Sequence, residues 1–384
     1  MSVAEHRLGG WVADGFEAVG VEFERNFRER GELGAAFAVE LDGEPVVDLW
    51  GGVADRRSGR PWAADTLQLL LSGSKGLVAC CLLLLIDRGL LELDRRVSEY
   101  WPEFAAGGKG EITVAELVSH RARLPGLEQP VSWKEATDPR RMAELLAAQK
   151  PSADPRAKLA YHAITFGWLC GELVRRIDGR TIGAFFSDEI AVPLDLELWI
   201  GLPSSLELRV ATLELSERWG AAPNFAPAAL AGDALLRSTF ANPERFSRAH
   251  VFNEPAWHRA EVPATNAIGT ARAVAHLYGH LPELMSEDAI LLGRTPLVEG
   301  EETLLGRPFS VGVGFQLQTA ERRLGRPDDA FGHGGSGGSL HACWPSAGVS
   351  FSYAMNLLRD DVDDVRGSSL LQALFESLDS RRGR

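Results

Sequence analysis

TLQLLLSGSKGLVACCLLLLIDRGLLEL, residues 66–93, is an apolar run that leads directly into a buried helix from about Ser72 to Arg88, closed by Gly89. From Leu77 to Ile86 every residue is apolar, so this helix keeps no polar face for water. Ten residues are too few to span a bilayer. Ser72 stands at the helix start, where Ser is a routine N-cap. Lys75 falls in the first turn on the same face. A cation there opposes the helix dipole and loses its hydration on burial, and both effects favour the neutral amine. A cap accounts for Ser72 but not for so costly a Lys. Acyl chemistry accounts for both: a Ser hydroxyl becomes a nucleophile when a neighbouring base takes its proton, and a desolvated Lys is such a base. The helix N-terminus would favour negative charge at Ser72, whose own N–H would be one oxyanion donor.

Upstream, helical periodicity covers about Val12 to Arg30 and stops at Gly31. A hairpin follows, AAFAVEL and EPVVDLWGG around the turn Asp42-Gly43. Downstream to about residue 260 the helical pattern dominates, most clearly in TVAELVSHRARLPG, PRRMAELLAAQ and TFGWLCGELVRRIDG. PSSLELRVATLE reads as a short strand insert within 204–262, a region of weak pattern, and ATNAIGTARAVAHLYGHL (264–281) returns to helical spacing. The last hundred residues turn to strands: PFSVGVGFQLQ, AFGHGGSGGSLHACW, the turn Pro345-Ser346-Ala347-Gly348, and VSFSYAMNLL. A final helix runs from about Val365 to Leu378. Strands at both ends with helices between them predict an α/β (α+β) fold. One antiparallel sheet is assembled from both termini and flanked by helices, and a mostly helical lobe is inserted. The expected boundaries are 1–71 with 262–384 for the sheet domain and 72–261 for the lobe, with the active site between them.

The 384 residues are 45% hydrophobic and 24% charged, which excludes disordered, collagen-like and coiled-coil chains. A net charge of −13 without a basic stripe argues against nucleic-acid or anionic-membrane partners. Cys80, Cys81, Cys170 and Cys343 lack any zinc spacing, and the adjacent pair reads as core packing in a reducing compartment. The start MSVAEHRLGGWVADGFEAVG has no charged region followed by an apolar one, so a cytoplasmic protein is expected. Of 40 basic residues only five are Lys. Lys109, Lys134, Lys150 and Lys158 fall in loops or polar helix surfaces where Arg could stand in. At Lys75 Arg would fail, because it cannot give up its proton.

Gly332 to Gly338 matches both GxGxxG and, around Ser336, GxSxG. Each motif must open a helix, yet strand and turn signals follow. His341, the only His after Ser336, lies five residues on in the same predicted strand, so Ser336 is not expected to be a nucleophile. His276 and His280 are spaced i, i+4, but no Glu occupies the HExxH position and no third ligand suggests itself, so no metal is expected. Asp360, Asp361, Asp363 and Asp364 read as a solvated acidic loop lacking the Gly and Glu of a calcium site. No cofactor is called for.

In order along the chain, Ser72-x-x-Lys75, Tyr161-His162-Ala163 and His333-Gly334-Gly335 resemble the three motifs of the penicillin-recognising serine hydrolases. These are the class C β-lactamases, the DD-peptidases and the family VIII carboxylesterases, the last being most similar. ITVAELVSHRARLPGL, AYHAITFGWLCGELVRRIDG and FGHGGSGGSLHACWPSAGVSFSYAMN match as supporting segments, so the resemblance runs from about residue 30 to 378. It implies a β-lactamase/DD-peptidase-like fold, Ser72 as nucleophile and Lys75 as adjacent base. Tyr161 would share the proton as one coupled base with Lys75 and pass it to the leaving group. The strand His333-Gly334-Gly335 would line the site, with the Ser336 N–H as second oxyanion donor. Two departures stand out. Ala163 replaces the Asn of Tyr-x-Asn, and His333-Gly334 replaces Lys-Thr, which weakens recognition of a substrate amide and carboxylate. The expectation is therefore a cytoplasmic serine carboxylesterase acting on small acyl esters. Its alternatives are an acyltransferase or amide hydrolase of the same acyl-enzyme chemistry, and a catalytically silent binding protein. Selection among substrates is expected from the segments 121–158 and 204–262.

Overall fold

Both ends of the chain build one sheet. The computed structural model describes residues 8–217, 219, 227–243, 249–360 and 363–382. The first end supplies β1 (Leu8–Val12), β2 (Gly34–Leu41) and β3 (Glu44–Asp55). The second supplies β4 (Val298–Glu302), β5 (Arg307–Val311), β6 (Gln316–Leu317), β7 (Phe331–Gly334), β8 (Leu340–Trp344) and β9 (Val349–Met355). The order is β1-β3-β2-β9-β8-β7-β6-β5-β4, with antiparallel neighbours throughout. The two ends meet where β2 pairs with β9, from Leu41 opposite Val349 to Ala35 opposite Met355. β9 is buried on both faces along its whole length, as a strand covered by helices requires.

The helices that position the site are α1 (Glu17–Glu29), α2 (Ser74–Asp87), α3 (Thr165–Asp178), α4 (Ala271–Gly279) and α5 (Arg366–Arg382). α1 and α5 pack on each other, α4 lies across β2 and β9, and α2 packs against α3. Every residue of α2 from Ser74 to Leu85 is buried, Cys80 and Cys81 included. All four cysteines are free thiols. Among the described residues no helix is long and apolar enough to cross a membrane.

Several local expectations are corrected. Val12 belongs to strand β1, and α1 begins only at Glu17. In TVAELVSHRARLPG only Val114–Val118 is helical: Thr113 and Glu116 form a capping box at its start, and His120 and Arg123 at φ 64° and 59° end it. Segment 264–281 begins with a strand, Ala267–Gly269, paired with Gln68–Leu69 and Leu198–Ile200. The PSSLELRVATLE stretch is mainly the 3₁₀ turn Ser204–Arg209, followed by the two-residue strand Glu214–Leu215. AFGHGGSGGSLHACW is not one strand but the hairpin β7–β8, with His333 opposite His341. The reversal uses Gly337 and Gly338 at φ 89° and 114°, which side-chain-bearing residues rarely adopt. Asp364 is not a solvated charge. With Glu32 it holds the buried Arg366, at 2.8 and 2.6 Å. Asp361 lies outside the described residues.

Candidate active site

The chain enters α2 through a 3₁₀ turn, Leu71–Gly73. Leu71 has φ 49°, a left-handed conformation that costs a residue of this shape about 1–3 kcal/mol and marks an over-determined turn. Gly73 is the N-cap, and no side chain caps the helix. The Ser72 hydroxyl is thus not used as a cap; its Oγ accepts a hydrogen bond from Lys75 Nζ at 3.2 Å. Two contacts hold the turn. Ser74 Oγ accepts from the Ala267 N–H (2.9 Å), and a Cβ at Gly73 would lie 2.4 Å from the His341 ring, so β8 presses directly on the helix entrance.

Lys75 is fully buried. Its Nζ also donates to the carbonyls of Ala163 (2.9 Å) and Ala264 (3.0 Å) and sits 4.9 Å from the centre of the Tyr161 ring. Ala163, the residue in place of Asn, therefore contributes its backbone oxygen to the lysine. Tyr161 is buried, and its N–H donates to Glu302 Oε1 at 2.8 Å. Glu302, itself fully buried at the end of β4, also accepts from the N–H groups of Leu304 (3.2 Å) and Leu305 (2.6 Å). Behind the Tyr161 ring, at 5.0 Å, lies the ring of His120. His120 Nδ1 accepts from the His162 N–H (3.0 Å), and His162 Nε2 accepts from the Leu124 N–H (3.2 Å) while Nδ1 faces the Ala160 carbonyl (2.7 Å). These partners assign the His162 proton to Nδ1. Burial, reinforced by the charge of Lys75, holds both imidazoles neutral: His162 is pushed down to about 4 and His120 well below the ordinary histidine value. Glu302, His120 and His162 escaped the sequence reading. His162 and His120 have a signal only in position, beside Tyr161 and within SHRARLPG, and Glu302, 141 residues from Tyr161, has none.

The β7–β8 hairpin closes the site from the opposite side. His333 is buried, its ring 6.3 Å from that of Tyr161 and its Nδ1 2.7 Å from the Gly334 carbonyl. Burial first, then the charges of Lys75 and Arg307, depress its pKa well below the usual range, so it offers no cation at neutral pH. The Gly334 N–H donates to Gln316 Oε1 (3.0 Å). At Gly335 a Cβ would lie 2.6 Å from the Leu70 carbonyl, so the hairpin tip abuts the residues that carry Ser72. Ser336 follows at that tip, between the Gly335 N–H, which donates to Ser339 O (2.9 Å), and the Gly338 N–H, which donates back to Gly335 O (3.3 Å). His341 is occupied elsewhere: its Nδ1 lies 2.8 Å from Ser352 Oγ, and burial pushes its pKa down to about 3. The half-buried Ser72 thus lies in one cluster with the buried Lys75 and Tyr161, and His333, Gly334 and Gly335 stand beside it. Segments 121–158 and 204–262 meet in a pocket of about 650 Å³ lined by Leu127, Trp133, Asp154, Leu235 and Asn242, among others.

A family model described as Beta-lactamase matches residues 23–374. The chain is 35% identical over 374 residues to the esterase/beta-lactamase LipL of Mycobacterium tuberculosis, covering 92% of this chain and 84% of that protein. Among solved structures, a family VIII carboxylesterase superposes with a TM-score of 0.88 at 35% identity, over 97% of this chain and 100% of the other. A penicillin-binding protein homologue from Caulobacter crescentus gives 0.82 at 35% identity over the same shares.

Proposed function

The chain belongs to the beta-lactamase family, and from that membership we propose that it is a serine carboxylesterase hydrolysing small acyl esters through an acyl-enzyme on Ser72. Carrying this function is the hydrogen bond from the fully buried Lys75 to the Ser72 hydroxyl. In acylation the Ser72 proton passes to the Lys75/Tyr161 pair as Oγ bonds to the ester carbonyl carbon. The N–H groups of Ser72 and Ser336 hold the resulting oxyanion. The C–O bond to the alcohol then breaks, Tyr161 hands the proton to the departing oxygen, and water repeats the sequence to release the acid. Selection of the ester's acyl or alcohol part is assigned to segments 121–158 and 204–262, which line a pocket that includes none of Ser72, Lys75, Tyr161 and His333 in its wall. The discontinuous sheet domain, 1–71 with 262–384, and the lobe 72–261 meet at this site. Four free thiols suit the cytoplasm as its location.

Ester hydrolysis is preferred to β-lactam hydrolysis because Ala163 has no side-chain amide and His333 is neutral. The purified protein is expected to hydrolyse short-chain p-nitrophenyl esters much faster than nitrocefin. Ser72→Ala should abolish turnover and Ser336→Ala should not, since Ser336 acts through its backbone. A fluorophosphonate probe should add to Ser72 by intact mass. Activity lost only in Ser336→Ala would overturn the assignment, and product analysis with added alcohols or amines separates hydrolysis from acyl transfer.

A further inference from the structure

The i, i+4 histidines at the C-terminal end of α4, His276 within it and His280 as its C-cap, lack a third ligand in sequence, but tertiary structure supplies one from a strand more than two hundred residues away. Glu40 of β2 lies under the end of α4, with Oε1 2.9 Å from His276 Nδ1 and Oε2 3.4 Å from His280 Nδ1. The two imidazoles stack with centres 3.7 Å apart, and one ligand atom from each of the three residues falls within 4.8 Å of the others. We propose that Glu40, His276 and His280 form a binding site for a first-row divalent cation, Zn²⁺ above all, separate from the catalytic cluster.

Three observations support a cation rather than a simple hydrogen-bonded trio. First, Glu40 is 7% exposed, and its Oε2 is buried without a hydrogen-bond donor. The Ser350 hydroxyl, on the strand position paired with Glu40, is likewise buried and unpartnered. Both groups face α4 where Gly279 leaves room: a Cβ there would meet Glu40 Oε2 at 2.7 Å and Ser350 Oγ at 2.8 Å. A buried carboxylate oxygen without a donor is costly, and a metal ion satisfies it. Second, the spacing fits. Ligand atoms about 2.0–2.1 Å from a tetrahedral Zn²⁺ lie roughly 3.3 Å apart, and the two Glu40–His separations bracket that value. Third, the ligands can be released to the ion. His280 Nδ1 now faces the His276 carbonyl at 3.0 Å, but that carbonyl also accepts the His280 backbone N–H at 3.0 Å and keeps a donor when the ring turns. The histidine side chains are 35% and 16% exposed, so an ion has a path in and water can complete its coordination. Two imidazoles and one carboxylate match the donors of open three-ligand zinc sites.

On the same helix Tyr278 turns the other way and packs against Gly76 of α2, so the cation would brace α4 without touching the reacting groups. The test uses untagged, EDTA-treated protein titrated with Co²⁺ and Zn²⁺. Expected are one equivalent bound per chain by calorimetry, visible d–d bands from Co²⁺ that Zn²⁺ displaces, and a Tm that rises with metal. His276→Ala and Glu40→Gln should each lose the bands and the stoichiometric binding while keeping the circular dichroism of the parent and ester turnover within about twofold. Absence of stoichiometric binding by the parent protein, or binding undiminished in a His276→Ala/His280→Ala variant, would overturn the site. Neither outcome bears on the Ser72 chemistry, because the readout is the metal.

Discussion

Lys75 and Lys109 are built alike. Both are fully buried, both donate to backbone carbonyls, and both ammonium groups lie beside an aromatic ring, Tyr161 at 4.9 Å and Phe104 at 5.3 Å. Lys109 Nζ reaches only carbonyls, those of Ala106 (2.7 Å), Ala147 (2.8 Å) and Gln149, and so fastens the 102–108 turn to the C-terminal end of the helix Pro139–Ala148. A helix C-terminus welcomes a cation, whereas Lys75 sits in the first turn of α2, where the helix dipole opposes one. Among the Lys75 partners is the Ser72 hydroxyl, which can surrender a proton. In the proposed chemistry burial alone does not make Lys75 the base: an acidic proton lies within its reach, and it stands at a helix end where the dipole opposes a cation.

The comparison breaks if the two lysines prove equivalent. Lys75→Met is expected to lower kcat/KM for a p-nitrophenyl ester by about 10⁴-fold or more, the scale seen when a nucleophile's base is removed. Lys109→Met should leave kcat/KM within about threefold. Tyr161→Phe sharpens the contrast, because it gives Lys75 the kind of ring that Lys109 has. Loss of a proton-transferring hydroxyl predicts a fall in kcat of about 10²- to 10⁴-fold with an unchanged circular dichroism spectrum. An active Tyr161→Phe enzyme would leave Lys75 as the sole base. The smallest effect is on stability. Lys109→Met leaves buried carbonyls without a donor and should cost about 1–3 kcal/mol in urea unfolding. Burial also pushes the Lys109 pKa down to about 8. Between that value and its ordinary 10.5, the unfolded chain holds a proton the folded chain has released, so this residue makes stability rise with pH across that window. The rise should be present in the parent protein and missing from Lys109→Met; equal slopes would remove the assigned role.

Lys109 also shows where local reasoning stops. In sequence it sits in GGKG, which looks like a loop where Arg could stand in; in the structure a compact ammonium fills a three-carbonyl cage closed by residues up to forty positions away. β1 was illegible for a related reason. Its residues are exposed or half-buried and include Gly9 and Gly10, and among the described residues it pairs only with β3, so neither alternation nor an apolar run marks it. The β7–β8 hairpin looks like one strand in sequence because seven residues rich in Gly carry no periodicity, while the register of His333 with His341 comes from pairing.

Patterns whose cause lies within a few residues were legible from the chain alone. The Asp42-Gly43 turn, the apolar α2 with Ser72 and Lys75 at its head, and strands at both ends around a helical middle all follow from turn chemistry, helical spacing and solvation. Tertiary structure alone decided what depends on groups meeting across the fold. Glu302 anchors Tyr161, β8 presses on Gly73, and Glu40 completes the histidine pair. Each of these joins segments about 140 to 270 residues apart. Hydrogen bonding and close packing act through space at 3–4 Å, and no local spacing in the sequence records which distant residues will arrive there.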